Sequence, residues 1–454
     1  MRSASAFLAT AAFAGQAAAA PASFFHMQLT VVDAATAAAV NNVTDQPIAP
    51  SQDPWYTAPY EFDHEAPGTI LRVRPAPGNL STIAGNCSAA YNILYRTTGS
   101  RYNPTWAVTT LFVPKSVSGA SNSSSNSSSS SSSTGSSTGS LLNYQIPYDS
   151  VFLDASPSYA MYGGVDANIG TALGKGYFVN VPDFEGNNAS FTAGVLSGHA
   201  TLDSVRAVLR NADRFGLPED PRVAMWGYSG GALASEWAAE LAVQYAPELN
   251  FSGAALGGLT PNVTSVLYSI YAGFEAGLAP PAVLGITNQF PEVYDYVVSK
   301  LQPSGPYNAS GFLATLNYTL EDNIGQYALK NISEYFVGGI GALLGPETIK
   351  IINSDGIMGY HGVPQMPIFA YKAVADEISP INDTDALLER FCGIGVNINY
   401  QRNSVGGHSA EATNGNAAAT AWLDSIFDGS FAKSANATGC FVSNVAINVT
   451  DSQF

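Results

Sequence analysis

The run Arg222-Val223-Ala224-Met225-Trp226-Gly227-Tyr228-Ser229-Gly230-Gly231-Ala232-Leu233 holds a short apolar strand, a serine between glycines, and the first turn of a helix. Val223 to Trp226 have the β-branched and aromatic character of a strand. The helix expected from Gly231 to Tyr245 is stopped by Pro247. The Gly-x-Ser-x-Gly pattern alone carries little weight. With 43 Gly in 454 residues, roughly 0.4 copies arise by chance. Its setting gives it meaning, because a strand runs in and a helix runs out. A serine on so sharp a turn needs small neighbours, and Gly227 and Gly231 supply them. The helix N-terminus also favours the negative charge that develops when a serine attacks a carbonyl.

Working outward, the flanking chain alternates strands and helices. Toward the N-terminus, Thr69–Arg74, Ala90–Arg96 and Ala107–Val113 read as strands of a sheet edge. Leu141–Ile146 is another strand, and it ends in Pro147-Tyr148-Asp149-Ser150. Gly176–Val181 is a strand that closes on Pro182-Asp183. Thr201–Ala212 is a helix with Leu202, Val205, Val208 and Leu209 on one face. After the serine turn comes the strand Phe251–Leu256. The sheet resumes at Pro367–Tyr371 and Val396–Tyr400. Such alternation predicts an α/β fold, with a mostly parallel sheet covered by helices on both faces. With the glycine-flanked serine, it predicts the α/β-hydrolase fold.

Four segments organise the chain. Residues 1–20 read as a signal peptide: Arg2, an apolar run from Ala6 to Ala14, and small residues at Ala17–Ala20 for cleavage. Residues 21–259 carry the first part of the core. They open with an irregular wrap to about residue 65. They also include a Ser-rich stretch, 118–140, that cannot bury apolar surface and is expected to be a disordered loop. Residues 260–350 lack strand signals and hold many aromatics, among them Tyr268, Phe274, Phe290, Tyr294, Phe312, Tyr318, Tyr335 and Phe336. They read as a helical cap over the sheet. Residues 351–454 complete the core.

A serine hydroxyl needs a base. In this fold the chain order is serine, acid, histidine. Of His26, His64, His199, His361 and His408, only the last two follow Ser229. His408 lies past a strand in the small-residue loop Gly406-Gly407-His408-Ser409, where it can present its ring. His361 precedes a strand and has no acid between it and the sheet edge, so His408 is the candidate base. Asp376 follows the strand 367–371 in Lys372-Ala373-Val374-Ala375-Asp376 and is the candidate acid, with Glu377 and Asp383 as rivals. It would hold the imidazole tautomer and stabilise the imidazolium. The Gly230 N–H is the first oxyanion donor. A second is expected from the loop Pro147–Ser150.

Composition bounds the partners. The net charge is −17, which disfavours nucleic acid and leaves no basic patch for anionic lipid. Any contact with a lipid interface would be transient and apolar. No apolar stretch approaches the ~20 residues of a membrane span. About fourteen Asn-x-Ser/Thr sequons, including Asn42, Asn79, Asn188, Asn308, Asn317, Asn331 and Asn448, fit a glycosylated, secreted protein. Three cysteines allow at most one intrachain bridge. Cys392 and Cys440, both C-terminal, are the favoured pair, which leaves Cys87 free. No metal cluster or phosphate loop appears, so no cofactor is implied.

Several segments resemble the fungal secretory lipases of the Candida lipase A type. They are Tyr144-Gln145-Ile146-Pro147-Tyr148-Asp149-Ser150, Val181-Pro182-Asp183-Phe184-Glu185-Gly186, Leu202-Asp203-Ser204-Val205-Arg206-Ala207, Gly227-Tyr228-Ser229-Gly230-Gly231, Ala375-Asp376-Glu377-Ile378-Ser379-Pro380 and Gly407-His408. The resemblance implies a triad of Ser229, Asp376 and His408. It implies that Asp149 joins the Gly230 N–H in the oxyanion hole, a residue that spacing alone does not single out. An aspartate there must be protonated, or donate through its main chain. The resemblance also implies a helical cap, a C-terminal flap and a C-terminal disulfide that fits Cys392–Cys440. The expected function is hydrolysis of lipid or other carboxylic esters through an acyl-enzyme. The alternative is a carboxylesterase acting on acetylated or lactone secondary metabolites. A peptidase and a catalytically dead binding protein are weaker readings, the latter opposed by an intact Ser, Asp and His.

Overall fold

Ten strands form one sheet in the order β1-β2-β3-β5-β4-β6-β7-β8-β9-β10. They are β1 (Ile70–Pro75), β2 (Cys87–Thr98), β3 (Pro104–Pro114), β4 (Ser140–Gln145), β5 (Phe178–Pro182), β6 (Arg222–Tyr228), β7 (Phe251–Gly257), β8 (Ile368–Ala373), β9 (Ile398–Asn403) and β10 (Cys440–Val445). The computed structural model describes residues 46–117 and 139–449. Residues 1–20, where a signal peptide is expected, Asn42 and almost all of the Ser-rich stretch lie outside the described residues.

The first three strands and the β3–β5 pair are antiparallel. From β5 and β4 to β10 every pair is parallel. This is the α/β-hydrolase fold. The parallel strands β4 to β8 are buried almost throughout because helices cover both faces. On one face lie helices Gly194–Leu209, Gly230–Tyr245 and Ile381–Gly393; on the other lie Ala167–Gly174 and Asn416–Asp428.

The helix expected to open at Thr201 begins seven residues earlier, at Gly194. Gly194 and Gly198 weaken helix propensity, which hides this turn from the sequence. They are there because Trp237 packs against them: a methyl group on Gly194 would stand 2.0 Å from the Trp237 ring. Asp203 and Arg206 of the same helix form a buried ion pair of 2.8 Å. Arg206 also reaches Glu248 at 2.6 Å and the Tyr245 carbonyl. The Leu202–Ala207 segment is thus an internal brace.

Residues 260–355 are helical and build their own apolar cluster, with Phe312, Tyr327, Tyr335 and Phe336 at its centre. The last of these helices, Pro346–Asp355, runs slightly past the expected boundary at 350. One strand has no counterpart in the sequence reading. β10 lies in the stretch expected to carry a flap. It is exposed along its length and pairs only with β9, so it lacks the apolar run that marks a buried strand. Cys392 and Cys440 are disulfide-bonded and tie it to helix Ile381–Gly393. Cys87 is free and buried.

Candidate active site

The parallel sheet delivers four loops to one edge. Gln145 of β4 pairs with Gly227 of β6, Gly257 of β7 with Tyr371 of β8, and Ala373 of β8 with Asn403 of β9. The loops after β4, β6, β8 and β9 therefore emerge side by side at the carboxyl ends of the strands, where sites in such sheets form.

Ser229 sits on the turn between β6 and helix Gly230–Tyr245 with φ 52° and ψ −120°. Positive φ costs a non-glycine residue energy. Here the Ser229 N–H donates to the Gly257 carbonyl at 2.9 Å, and its own carbonyl accepts from Leu233 N–H at 2.9 Å. The glycines are required by close approach. A Cβ on Gly227 would lie 2.2 Å from the Gly231 backbone, and one on Gly231 2.0 Å from the Gln145 carbonyl oxygen.

The structure brings Ser229, His408 and Asp376 together. His408 Nε2 lies 2.8 Å from Ser229 Oγ, and His408 Nδ1 lies 2.7 Å from Asp376 Oδ2. With Nδ1 donating to the carboxylate, Nε2 is left to accept the serine proton. Asp376 Oδ1 accepts the backbone N–H groups of Ile378 and Ser379 at 3.0 and 2.7 Å. Oδ2 also accepts from Lys372 Nζ at 2.8 Å. Burial alone would raise this carboxyl, but the hydrogen bond from His408 and the Lys372 ammonium hold it down at about 2.

Glu377, a rival for the acid, has a different place. Its carboxylate accepts the His408 backbone N–H at 2.8 Å, and a Cβ on Gly407 would collide with it at 2.2 Å. The Tyr228 hydroxyl donates to the His408 carbonyl. Adjacent acids thus divide the work: Asp376 holds the ring, and Glu377 holds the backbone. Asp383 lies at the start of helix Ile381–Gly393 and faces Lys372. His361 is not brought to the serine. It packs on Trp237 with ring centroids 4.4 Å apart, and its backbone N–H donates to Glu240.

Asp149 has φ 41° and is almost fully buried. A Cβ on Gly230 would stand 2.0 Å from Asp149 Oδ1. A side chain at residue 230 would therefore displace this carboxyl, which lies against the turn that presents the Gly230 N–H. Oδ1 has no hydrogen-bond partner. Burial, with a smaller push from Glu321, raises this carboxyl to about 7 against its own backbone N–H. Two features hold the loop. Ser150 Oγ donates to the Tyr318 carbonyl of the helical segment at 2.8 Å and accepts from Phe152 N–H at 3.0 Å. The fully buried Glu185 carboxyl lies near the loop with neither oxygen in a hydrogen bond; burial first, then Asp149, pushes it well up. Asp183 accepts from Ser158 N–H and Oγ at 2.8 and 2.5 Å. The sequence reading did not foresee roles for Lys372 or Glu185, and it weighed Glu377 only as a rival acid. The signal was their presence in the quoted Val181–Gly186, Lys372–Asp376 and Ala375–Pro380 segments.

Asp149, Ser229 and Gly230 line a narrow, partly enclosed cavity. Its walls are apolar and come mostly from the helical segment, with Leu267, Ile270, Val283, Ile286, Leu343 and Ile352 among them. Among the described residues no group of three or more His, Cys, Asp or Glu is arranged to hold a metal ion. No described helix is long and apolar enough to cross a membrane. The arrangement joins an activated hydroxyl, a base with an orienting acid, donors beside the hydroxyl and an apolar chamber. These are the parts needed for acyl transfer.

The chain is similar to known lipases and esterases. A family model described as secretory lipase matches residues 163–435. A trichothecene C-3 esterase of Fusarium sporotrichioides is 47% identical over 418 residues, with 91% of each chain covered. Lipase A of Arthroderma benhamiae is 35% identical, with 85% of this chain and 81% of that one covered. Among solved structures, lipase A of Candida antarctica superposes with a TM-score of 0.74 at 27% identity, covering 89% of this chain and 91% of that one.

Proposed function

The chain belongs to the secretory lipase family, and from that premise we propose that it is an exported serine hydrolase that cleaves carboxylic esters through an acyl-enzyme. One observation carries the reading: the hydrogen-bonded chain Ser229 Oγ–His408 Nε2, His408 Nδ1–Asp376 Oδ2, whose serine lines an apolar cavity. His408 takes the Ser229 proton as Oγ bonds to the ester carbonyl carbon. The Gly230 N–H and a protonated Asp149 hold the oxyanion. The C–O bond to the alcohol then breaks, and His408 hands its proton to the leaving oxygen. Water repeats the sequence: it gives its proton to His408, bonds to the acyl carbon, and Ser229 leaves as the reprotonated hydroxyl.

The apolar chamber suits an acyl chain, so lipid esters are the first substrate class. A second reading is an ester of a secondary metabolite, such as a C-3 ester of a trichothecene. It is favoured by the higher identity to the trichothecene esterase than to the lipases. A fluorophosphonate probe should label Ser229 and abolish turnover. Labelling at another residue, or none, would refute the mechanism. A panel running from p-nitrophenyl acetate to palmitate, emulsified triglyceride and a 3-acetylated trichothecene should separate the two substrate readings.

Asp149 yields a prediction about pH. Its carboxyl can donate only while protonated, below about 7. As pH rises through that value it becomes an acceptor-only anion beside the oxyanion, and kcat/KM should fall. Asp149→Asn keeps a donor that does not ionise, so this alkaline fall should disappear. Asp149→Ala should cost about 10²–10³-fold in kcat below that pH, the usual cost of one oxyanion donor, and less above it, where the wild-type carboxyl no longer donates. An alkaline limb unchanged in Asp149→Asn would remove Asp149 from this role.

A further inference from the structure

Lys372 is the last-but-one residue of β8, and its ammonium is fully buried. Buried lysines are rare without a partner. Here Nζ donates to the Leu259 carbonyl at 2.8 Å and to Asp376 Oδ2 at 2.8 Å. That oxygen is also the acceptor of His408 Nδ1 at 2.7 Å. A fixed cation and the imidazole therefore compete for one carboxylate oxygen. The other oxygen is fully engaged by two backbone N–H groups.

We propose that Lys372 is a positioning residue that weakens the hold of Asp376 on a protonated His408 ring, by sharing Asp376 Oδ2 with that ring. The inference rests on the serine-hydrolase reading above. When His408 gains a proton, Asp376 is the counter-charge that stabilises it. An ammonium on the same oxygen draws off part of that stabilisation and repels the imidazolium directly. The surrounding charges are all acidic or neutral. Glu377 faces the His408 backbone, Glu411 faces Asp376 from helix His408–Asn414, and Glu275 faces His408 from the helical segment. Tyr228 approaches Asp376 from the end of β6, and Asp383 and Asp385 face Lys372 from helix Ile381–Gly393. Among the described groups that face this cluster, Lys372 is the cation that opposes imidazolium formation.

The test is the pH dependence of kcat/KM for p-nitrophenyl butyrate. In Lys372→Met the acidic limb should move to higher pH by about one unit, because the unshared carboxylate holds the imidazolium more firmly. Lys372→Arg keeps the charge and should leave the limb near its wild-type position. A Lys372→Met limb that stays put while kcat falls would mean that Lys372 only braces Leu259, and would overturn the proposal. If Lys372→Met does not fold, the Lys372 ammonium signal of ¹⁵N-labelled wild-type protein serves instead. It should titrate with the acidic limb, and a signal indifferent to it overturns the sharing. Ser229→Ala is the control for the parent reading: turnover surviving there refutes the hydrolase mechanism, whatever Lys372 does.

Discussion

Ser229→Ala should lower kcat for ester substrates by about 10⁵–10⁶-fold, with the fold and thermal stability unchanged. Magnitudes of this order follow when a serine hydrolase loses its nucleophile. In the proposed mechanism Ser229 Oγ is the one atom of the triad that bonds to substrate, and in the variant His408 Nε2, 2.8 Å from that oxygen in the wild type, has no proton to take. The variant should still bind substrate, because the cavity walls are untouched. Some rate above water should survive from the Gly230 N–H and Asp149. The check is single-turnover hydrolysis of a p-nitrophenyl ester alongside fluorophosphonate labelling. Activity within tenfold of wild type would place the chemistry elsewhere.

Asp376→Asn should have the second largest effect, about 10⁴-fold in kcat, because the neutral amide no longer fixes the His408 tautomer or offsets its positive charge. In this protein the substitution should carry a second penalty. Lys372 is fully buried and paired with the same carboxylate. Removing the charge strands an ammonium in the interior, at a cost of about 3–5 kcal/mol. Asp376→Asn should therefore melt well below wild type, whereas Ser229→Ala should not. Adding Lys372→Met to Asp376→Asn should recover much of the stability and none of the activity. Calorimetry on the three variants checks this. An Asp376→Asn variant as stable as wild type would show that the Lys372–Asp376 pair is not held as a buried ion pair.

Much of the catalytic outline was legible from local text. The β6 strand, the glycine-flanked serine and the helix behind it are neighbours in sequence, so their pattern is visible without tertiary structure. The order of Ser229, Asp376 and His408 follows from the order of the strands that precede them. Other parts were not legible. The first turns of helix Gly194–Leu209 are masked by glycines that only the packed Trp237 explains. β10 is an exposed edge strand with no apolar run, and it is a strand only because β9 and the Cys392–Cys440 bridge hold it.

The chain by itself determined the fold class, the position of the serine turn and the residues able to serve as base and acid. Those depend on periodicity and short-range turn chemistry, which are written in consecutive residues. Only the tertiary structure decided how charge is distributed around them. It set Glu377 on the His408 backbone, Glu185 near Asp149, and Lys372 on the oxygen that His408 also uses. A carboxylate or ammonium reads as a solvated surface charge until folding removes the water. Desolvation and distance then set its role, and both depend on residues far apart in the chain. Asp149 shows the difference most sharply: in the sequence it is one loop aspartate among many, and in the folded protein burial beside Gly230 raises its carboxyl to about 7.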